Sequence, residues 1–359
     1  MAKFNVTLPS EVCARIAQYS LPAELLSLSR TSKIMQQAAE RIMYYDLILR
    51  DSNTAHAVCM AISASDSIRG TYVHRFCFFD ARRTRPSALP PPFWAGIQNA
   101  LIKMSNLEDL VIYDPTARNT WILEEPSRFR FKLKSASLRL QWDHLMVGFL
   151  QTQSELRSLH TGDSLNDEPA LPIATAKLPH LEKYEGPLLV GWELLACPLT
   201  HIHISIDEGT AGLIPAFIKT MVHTNMPLRN LSIVYIPEIL LEESLDILTS
   251  TLMCRQLRRL SVICLPVLKR HEIHCSLMKL TMLEVLEVEV SSWDPQPMEP
   301  FQRILAMELH TYLAVFSCMY FSNCGSEQSD ESVLPINAAY PRSSVSLTPK
   351  DYGSIVSPS

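Results

Sequence analysis

The chain has 359 residues, 32 Lys+Arg against 37 Asp+Glu, a formal charge of −5, and 47% apolar residues. That length gives roughly two domains or one long repetitive one, and the apolar share excludes wholesale disorder. The mildly acidic balance leaves no electrostatic footprint for nucleic acid, and ten glycines, under half the usual share of ~7%, argue against glycine-rich phosphate cradles.

Arg82, Arg83 and Arg85 are the densest basic cluster and are too few to change that reading. The start, Met1 to Pro9, has no apolar signal core, and the late apolar run around Leu313 to Phe321 falls far short of the ~18–20 residues of a membrane span. Nine cysteines, with no C-x-x-C pair, are expected to be reduced thiols in the cytoplasm or nucleus.

In chain order, Leu8-Pro9-Ser10-Glu11 opens a helix, with Pro9 suited to its first turn and Glu11 near the positive end of its dipole. Val12, Cys13, Ile16 and Tyr19 recur at helical spacing as one apolar stripe. A break at Ser20-Leu21-Pro22 starts a second short helix with Leu25, Leu26 and Leu28. Thr31-Ser32 caps a third, whose inner face is Ile34, Met35, Ala38 and Ile42. Three short helices bury little area, so they are expected to share apolar surface with a partner or with the following domain.

This stretch resembles an F-box. Leu8, Pro9, Glu11, Ile16, Tyr19, Pro22, Leu25, Leu26, Leu28, Ser29 and Ser32 fall on the family pattern without a gap, while Ser20, Thr31 and Met35 stand where Leu, Val and Trp are usual. The resemblance covers residues 6–46. A generic three-helix cap on a repeat protein is the alternative.

Next comes a recurring L-x-x-L-x-L pattern. Its copies are Val73-x-x-Phe76-x-Phe78, Leu107-x-x-Leu110-x-Ile112, a looser Leu138-x-Leu140 without a leading residue, Leu156-x-x-Leu159 and Leu178-x-x-Leu181. Leu199-x-x-Ile202-x-Ile204, Leu228-x-x-Leu231-x-Ile233, Leu257-x-x-Leu260-x-Val262 and Leu283-x-x-Leu286-x-Val288 follow. Most spacings lie within the 20–29 residues of leucine-rich repeats. Each L-x-L predicts a short strand with alternate residues inward, and the segments between predict returning helices. Phe93-Trp94-x-x-Ile97-x-x-x-Leu101-Ile102 is one such helix, and Leu240 to Leu252 another. Tyr45, Leu47 and Leu49 predict an entry strand; Leu313, Val315, Ser317 and Met319 predict the last. Lys183 occupies an inward slot after Leu181, so that copy is expected to be distorted.

The fold class expected is α/β: a small three-helix module over 6–46, a leucine-rich-repeat-like solenoid of parallel strands over 47–321, and a disordered Ser/Pro-rich tail over 322–359. A doubly wound sheet is the competitor. As a whole, residues 6–321 resemble F-box proteins with irregular leucine-rich repeats, a family abundant in fungi. That resemblance implies a non-catalytic, substrate-recognition adaptor of a Skp–cullin–F-box ubiquitin ligase. It implies that Leu8, Pro9, Val12, Ile16, Leu25, Leu28 and Met35 dock on a Skp-family adaptor and through it a cullin.

Chemistry is sparse. No phosphate-binding, dinucleotide or nucleophile-elbow motif occurs. His271-Glu272-Ile273-His274 spaces its histidines three apart where a zincin needs four, and it predicts a polar helix face. His201 and His203 project to one side of a strand and, with His160, suggest either a metal or pH-sensitive patch or ordinary contact surface. No metal or cofactor is expected. Thr348-Pro349 and Ser357-Pro358 are candidate phosphorylation sites.

The non-leucine strand positions of such arrays line a concave binding face. Here they mix signs, aromatics and small polar groups, which suits a folded protein or peptide rather than a polyanion, and no membrane partner is expected. The candidate target-binding residues are Tyr113, Arg139, His160, Tyr184, His201, His203, Asn230, Arg259 and Glu287. The alternative function is a leucine-rich-repeat interaction scaffold unconnected to ubiquitin.

Overall fold

The computed structural model describes residues 8–80, 88–162, 170–224, 226–234, 236–251, 255–264, 269–289, 303–304, 307, 310–311 and 318–322. Arg82, Arg83, Arg85, the start of the expected last strand at Leu313, and the two candidate phosphorylation sites lie outside them. The chain divides into two compact units, Met1–Leu165 with Leu171–Leu181, and Asn166–Ala170 with Glu182–Ser359. The division falls inside the repeat array rather than between the helical module and the repeats.

In the first unit the module consists of α1 (Ser10–Gln18), α2 (Pro22–Leu28) and α3 (Lys33–Met43). Local chemistry sets these boundaries. Pro22 stands at the first position of α2, and the Glu24 carboxylate accepts a hydrogen bond from the Leu21 N–H at 2.8 Å. Ser32 caps α3 by accepting from the Met35 N–H at 3.2 Å. The module's own core is thin: Ala17, Leu25 and Ala39, flanked by Ala38 and Met43.

Strands then alternate with helices: β1 (Asp46–Leu49), α4 (Ser52–Ser63), β2 (Arg75–Phe78), α5 (Pro91–Lys103), β3 (Asp109–Tyr113), β4 (Ser135–Arg139), α6 (His144–Leu150) and β5 (Ser158–Thr161). Each strand pairs in parallel with the next, with Leu47↔Phe76, Phe76↔Leu110, Leu110↔Ala136 and Ala136↔Leu159 in one register line. The period of two sends Leu47, Leu49, Phe76, Phe78, Leu110, Ile112, Ala136 and Leu138 into the core. There Phe78 meets Phe93 and Trp94 of α5, with ring centres 5.1 and 5.9 Å apart. Asp51 and Asp143 cap α4 and α6 through backbone N–H groups.

The second unit repeats the plan with β6 (Lys183–Pro187), α7 (Leu188–Glu193), β7 (His201–Ser205), α8 (Ile214–His223), β8 (Asn230–Ile233), α9 (Glu238–Thr249), β9 (Arg259–Cys264), α10 (Arg270–Leu277), β10 (Val285–Glu289) and β11 (Cys318–Ser322). All its described pairings are parallel and in sequence order. Between Leu286 and Val288 the β9–β10 register shifts by one. The described chain is therefore α/β, with consecutive parallel strands and helical returns. Among the described residues no helix is long and apolar enough to cross a membrane.

Two copies of the pattern differ from expectation. Tyr184 pairs with Ile202, so the β6 repeat starts at Leu181 and runs Leu181-x-x-Tyr184-x-Gly186. Lys183 and Glu185 consequently face outward and are exposed, and Tyr184 points into the core, where its hydroxyl donates to the Pro187 carbonyl at 2.9 Å. Gly191 makes room for that ring: a Cβ there would stand 2.7 Å from Ile204 Cδ1 and 3.0 Å from Tyr184 Cε1. Likewise, the β4 repeat begins at the buried Leu133 and reads Leu133-x-x-Ala136-x-Leu138. Small Ala136 in the middle slot hid it. The last strand is placed at Cys318–Ser322, later than the expected start.

Candidate functional site

Two surfaces are candidates, the apolar face of the helical module and the sheet face turned away from the helices. On α1 the buried side is Cys13 and Ala17, both too small to enclose a large core. Leu8, Val12, Ile16 and Tyr19, spaced by four, four and three residues, form the opposite stripe and stand exposed, Tyr19 at 78%. Leu21, Leu26, Ile34 and Ile42 are exposed too. Of the sequence-predicted docking residues, Leu8, Pro9, Val12 and Ile16 are thus accessible and Leu28 is half-buried. Leu25 and Met35 are not on this surface. They are 3% and 5% exposed, because short helices with alanine-rich inner faces need the few large side chains they have as their core.

Side-chain contacts made by two arginines help fix the module to the first repeat. The Arg69 guanidinium donates to the Glu40 carboxylate at 2.7 Å and lies over the Tyr44 ring; Arg41 lies over Tyr72. Burial works to raise the Glu40 pKa, but hydrogen bonds from Arg69 and Gln36, with the Arg69 charge, outweigh it and hold the carboxyl below its ordinary value.

The outward sheet face of the first unit is built of rows, one residue per strand. Asp46, Arg75, Asp109, Ser135 and Ser158 form the first. Arg75 stands between two carboxylates, 3.1 Å from Asp109 and 3.9 Å from Asp46, so its cation is matched within the row and one carboxylate is left in excess. Burial raises the Asp109 pKa against the pull of Arg75 and of a Ser135 hydrogen bond. The second row is Ile48, Cys77, Val111, Ser137 and His160. Flanking strands bury Cys77 and push its thiol up to about 11. Cys59 and Cys197, pushed up to about 12 and about 11 by burial, are also protonated near neutral pH and poor nucleophiles.

The predicted Tyr113 and Arg139 meet directly: the Arg139 guanidinium lies 4.7 Å from the Tyr113 ring centre and donates to its hydroxyl. In the second unit the outward positions are Lys183, His201, Asn230 and Arg259 in one row and Glu185, His203, Ser232 and Ser261 in the next. His201, His203, Asn230 and Arg259 are half-buried there, as the alternation predicts. Glu287 is 5% exposed, with its carboxylate 3.7 Å from Arg259, whose Nε donates to the Ser261 hydroxyl. It is a buried ion-pair partner rather than an open contact. Tyr184 is not on the face at all, for the register reason given above.

His160 belongs to the first unit and His201 and His203 to the second. Among the described residues no group of three or more His, Cys, Asp or Glu side chains could hold a metal ion. Burial, then the charges of Lys183 and Arg229, lower the His201 pKa below 6.5, only partly opposed by Glu182. The unfolded imidazole takes a proton more readily than the folded one. The stability that His201 contributes is therefore complete above about pH 6.5 and is lost as pH falls through that value toward the folded pKa. In urea titrations, the loss of stability between about pH 7 and about pH 5 should be smaller in His201→Asn. An identical loss would contradict the assignment.

Arg50 and Phe79 were missed by sequence reasoning. They directly follow β1 and β2, and Phe78-Phe79 gives two adjacent aromatics whose facing only the register decides. No protein-family model matches the chain, and no curated protein matches it significantly.

Proposed function

We propose that the chain is the substrate-recognition adaptor of a Skp–cullin–F-box type ubiquitin ligase, acting in the cytoplasm or nucleus. The α1 stripe docks on a Skp-family adaptor, and the outward repeat face holds a protein target. The observation that carries the reading is the stripe Leu8, Val12, Ile16 and Tyr19, left exposed along α1 and its two ends, in which the F-box resemblance assigns Leu8, Val12 and Ile16 to partner contact. The Arg69–Glu40 clamp supports it, because a handle tied to the repeats holds a bound target at a fixed place. The physical contribution is raised effective concentration of target near the conjugating enzyme, with no bond chemistry by this chain.

The test is co-purification with a Skp adaptor. The double change Leu8→Ala with Pro9→Ala should abolish it, while far-UV circular dichroism of the repeats stays unchanged. Association that persists undiminished would overturn the docking assignment. Absence of any association with the unaltered chain would leave the scaffold reading in its place.

A further inference from the structure

One row of the first unit's outward face carries charge without internal compensation. Tyr113 of β3 pairs with Arg139 of β4. Phe79 and Arg50 continue the same row just past the ends of β2 and β1, one step beyond the pairs Phe78↔Ile112 and Leu49↔Phe78, and the Phe79 N–H donates to the Leu49 carbonyl at 3.1 Å. Across four neighbouring strands the order is Arg50, Phe79, Tyr113, Arg139, spanning three strand spacings, or about 14 Å.

Each cation is seated on an aromatic ring. The Arg50 guanidinium lies 5.7 Å from the Phe79 ring centre, and that of Arg139 lies 4.7 Å from Tyr113. Gly162 gives Arg139 its place, since a Cβ there would fall 2.6 Å from Arg139 Cγ. Among the described residues neither guanidinium forms an ion pair. Asp51, next to Arg50 in the chain, caps α4, and Asp114, next to Tyr113, holds the turn to Asn119. Stacking uses the face of a guanidinium; one Arg139 N–H donates to the Tyr113 hydroxyl, and the rest of its N–H edge, with that of Arg50, can meet an anion. The first row, by contrast, has Arg75 already matched by Asp46 and Asp109.

We propose that this row binds an extended acidic peptide of the pattern acid-x-apolar-x-acid, laid across the strands. Residues four apart in an extended chain are about 13–14 Å apart and point to one side, which matches the two arginine positions. Each carboxylate pairs with one guanidinium, and the middle apolar side chain rests on Phe79 and Tyr113. The inference rests on the reading of the repeat face as the target-binding side, and it supplies the chemistry of the target.

The experiment uses the full chain and a fluorescein-labelled nine-residue peptide with a Glu-Ala-Phe-Ala-Glu core, read by fluorescence anisotropy. The peptide should bind at least about 10-fold tighter than its Gln-Ala-Phe-Ala-Gln counterpart, and Arg50→Gln and Arg139→Gln should each weaken it by about 10-fold. Equal affinity for both peptides would overturn the proposal. So would undiminished binding by the folded double variant, or binding only when phosphoserine replaces Glu. Co-purification of a Skp adaptor serves as the independent arm and should be untouched by the arginine changes. Lost peptide binding with that association kept removes the peptide assignment alone, and the converse removes the ligase reading alone.

Discussion

Trp94→Ala should lower the stability of the first unit by about 3–5 kcal/mol, the range for emptying a large aromatic site in a packed core. Trp94 is fully buried, edge-on to both Phe78 and Phe93. It locks α5 onto β2, so the cavity would lie between a returning helix and the sheet that carries the proposed interaction face. Its indole N–H has no hydrogen-bond partner. Trp94→Phe removes that unsatisfied donor along with some packing and should therefore cost distinctly less than alanine. Urea unfolding followed by circular dichroism measures both, and an alanine cost below about 1 kcal/mol would contradict this packing.

Asp114→Ala should cost about 3 kcal/mol, because one buried carboxylate there serves four donors. Asp114 is 1% exposed and accepts from the Thr116 N–H and hydroxyl at 2.9 and 2.8 Å, and from the Asn119 N–H and side-chain amide at 3.1 and 2.8 Å. These bonds hold a turn in which Ala117 has φ of 52°, a left-handed conformation costly for a residue with a Cβ. The turn follows Tyr113 directly. Loss of the carboxylate should therefore loosen the Tyr113–Arg139 pair as well as destabilise the unit. Amide exchange across residues 115–119 should accelerate in the variant; protection equal to that of the unaltered chain would contradict the role.

Much of this architecture is legible in the sequence, since parallel strands and returning helices leave different apolar periods. The copies led by Leu107, Leu199 and Leu228 show both, and α5 and α9 form where the helical spacing places them. Legibility fails where a residue of the wrong size fills a slot. Ala136 is too small to mark a strand centre, and Tyr184 looks like a surface anchor until Gly191 is seen to vacate the space for its ring. In the helical module the spacing identifies an apolar stripe but not its direction. Cys13 and Ala17 face inward because the helices approach closely, and the larger Val12 and Ile16 are left outside. The Arg50–Phe79–Tyr113–Arg139 row is invisible in sequence, since its members are brought together only by pairing among four strands.

The most direct measurement is titration calorimetry of the purified full chain with a purified Skp adaptor, set beside the Val12→Asp, Ile16→Asp double variant. Both positions are exposed, so the variant should fold normally while placing two charges in an apolar contact. Saturable binding by the unaltered chain, lost in the variant, is the expected result. No heat of binding from either, or the same affinity in both, would contradict the assignment of this stripe as the docking handle.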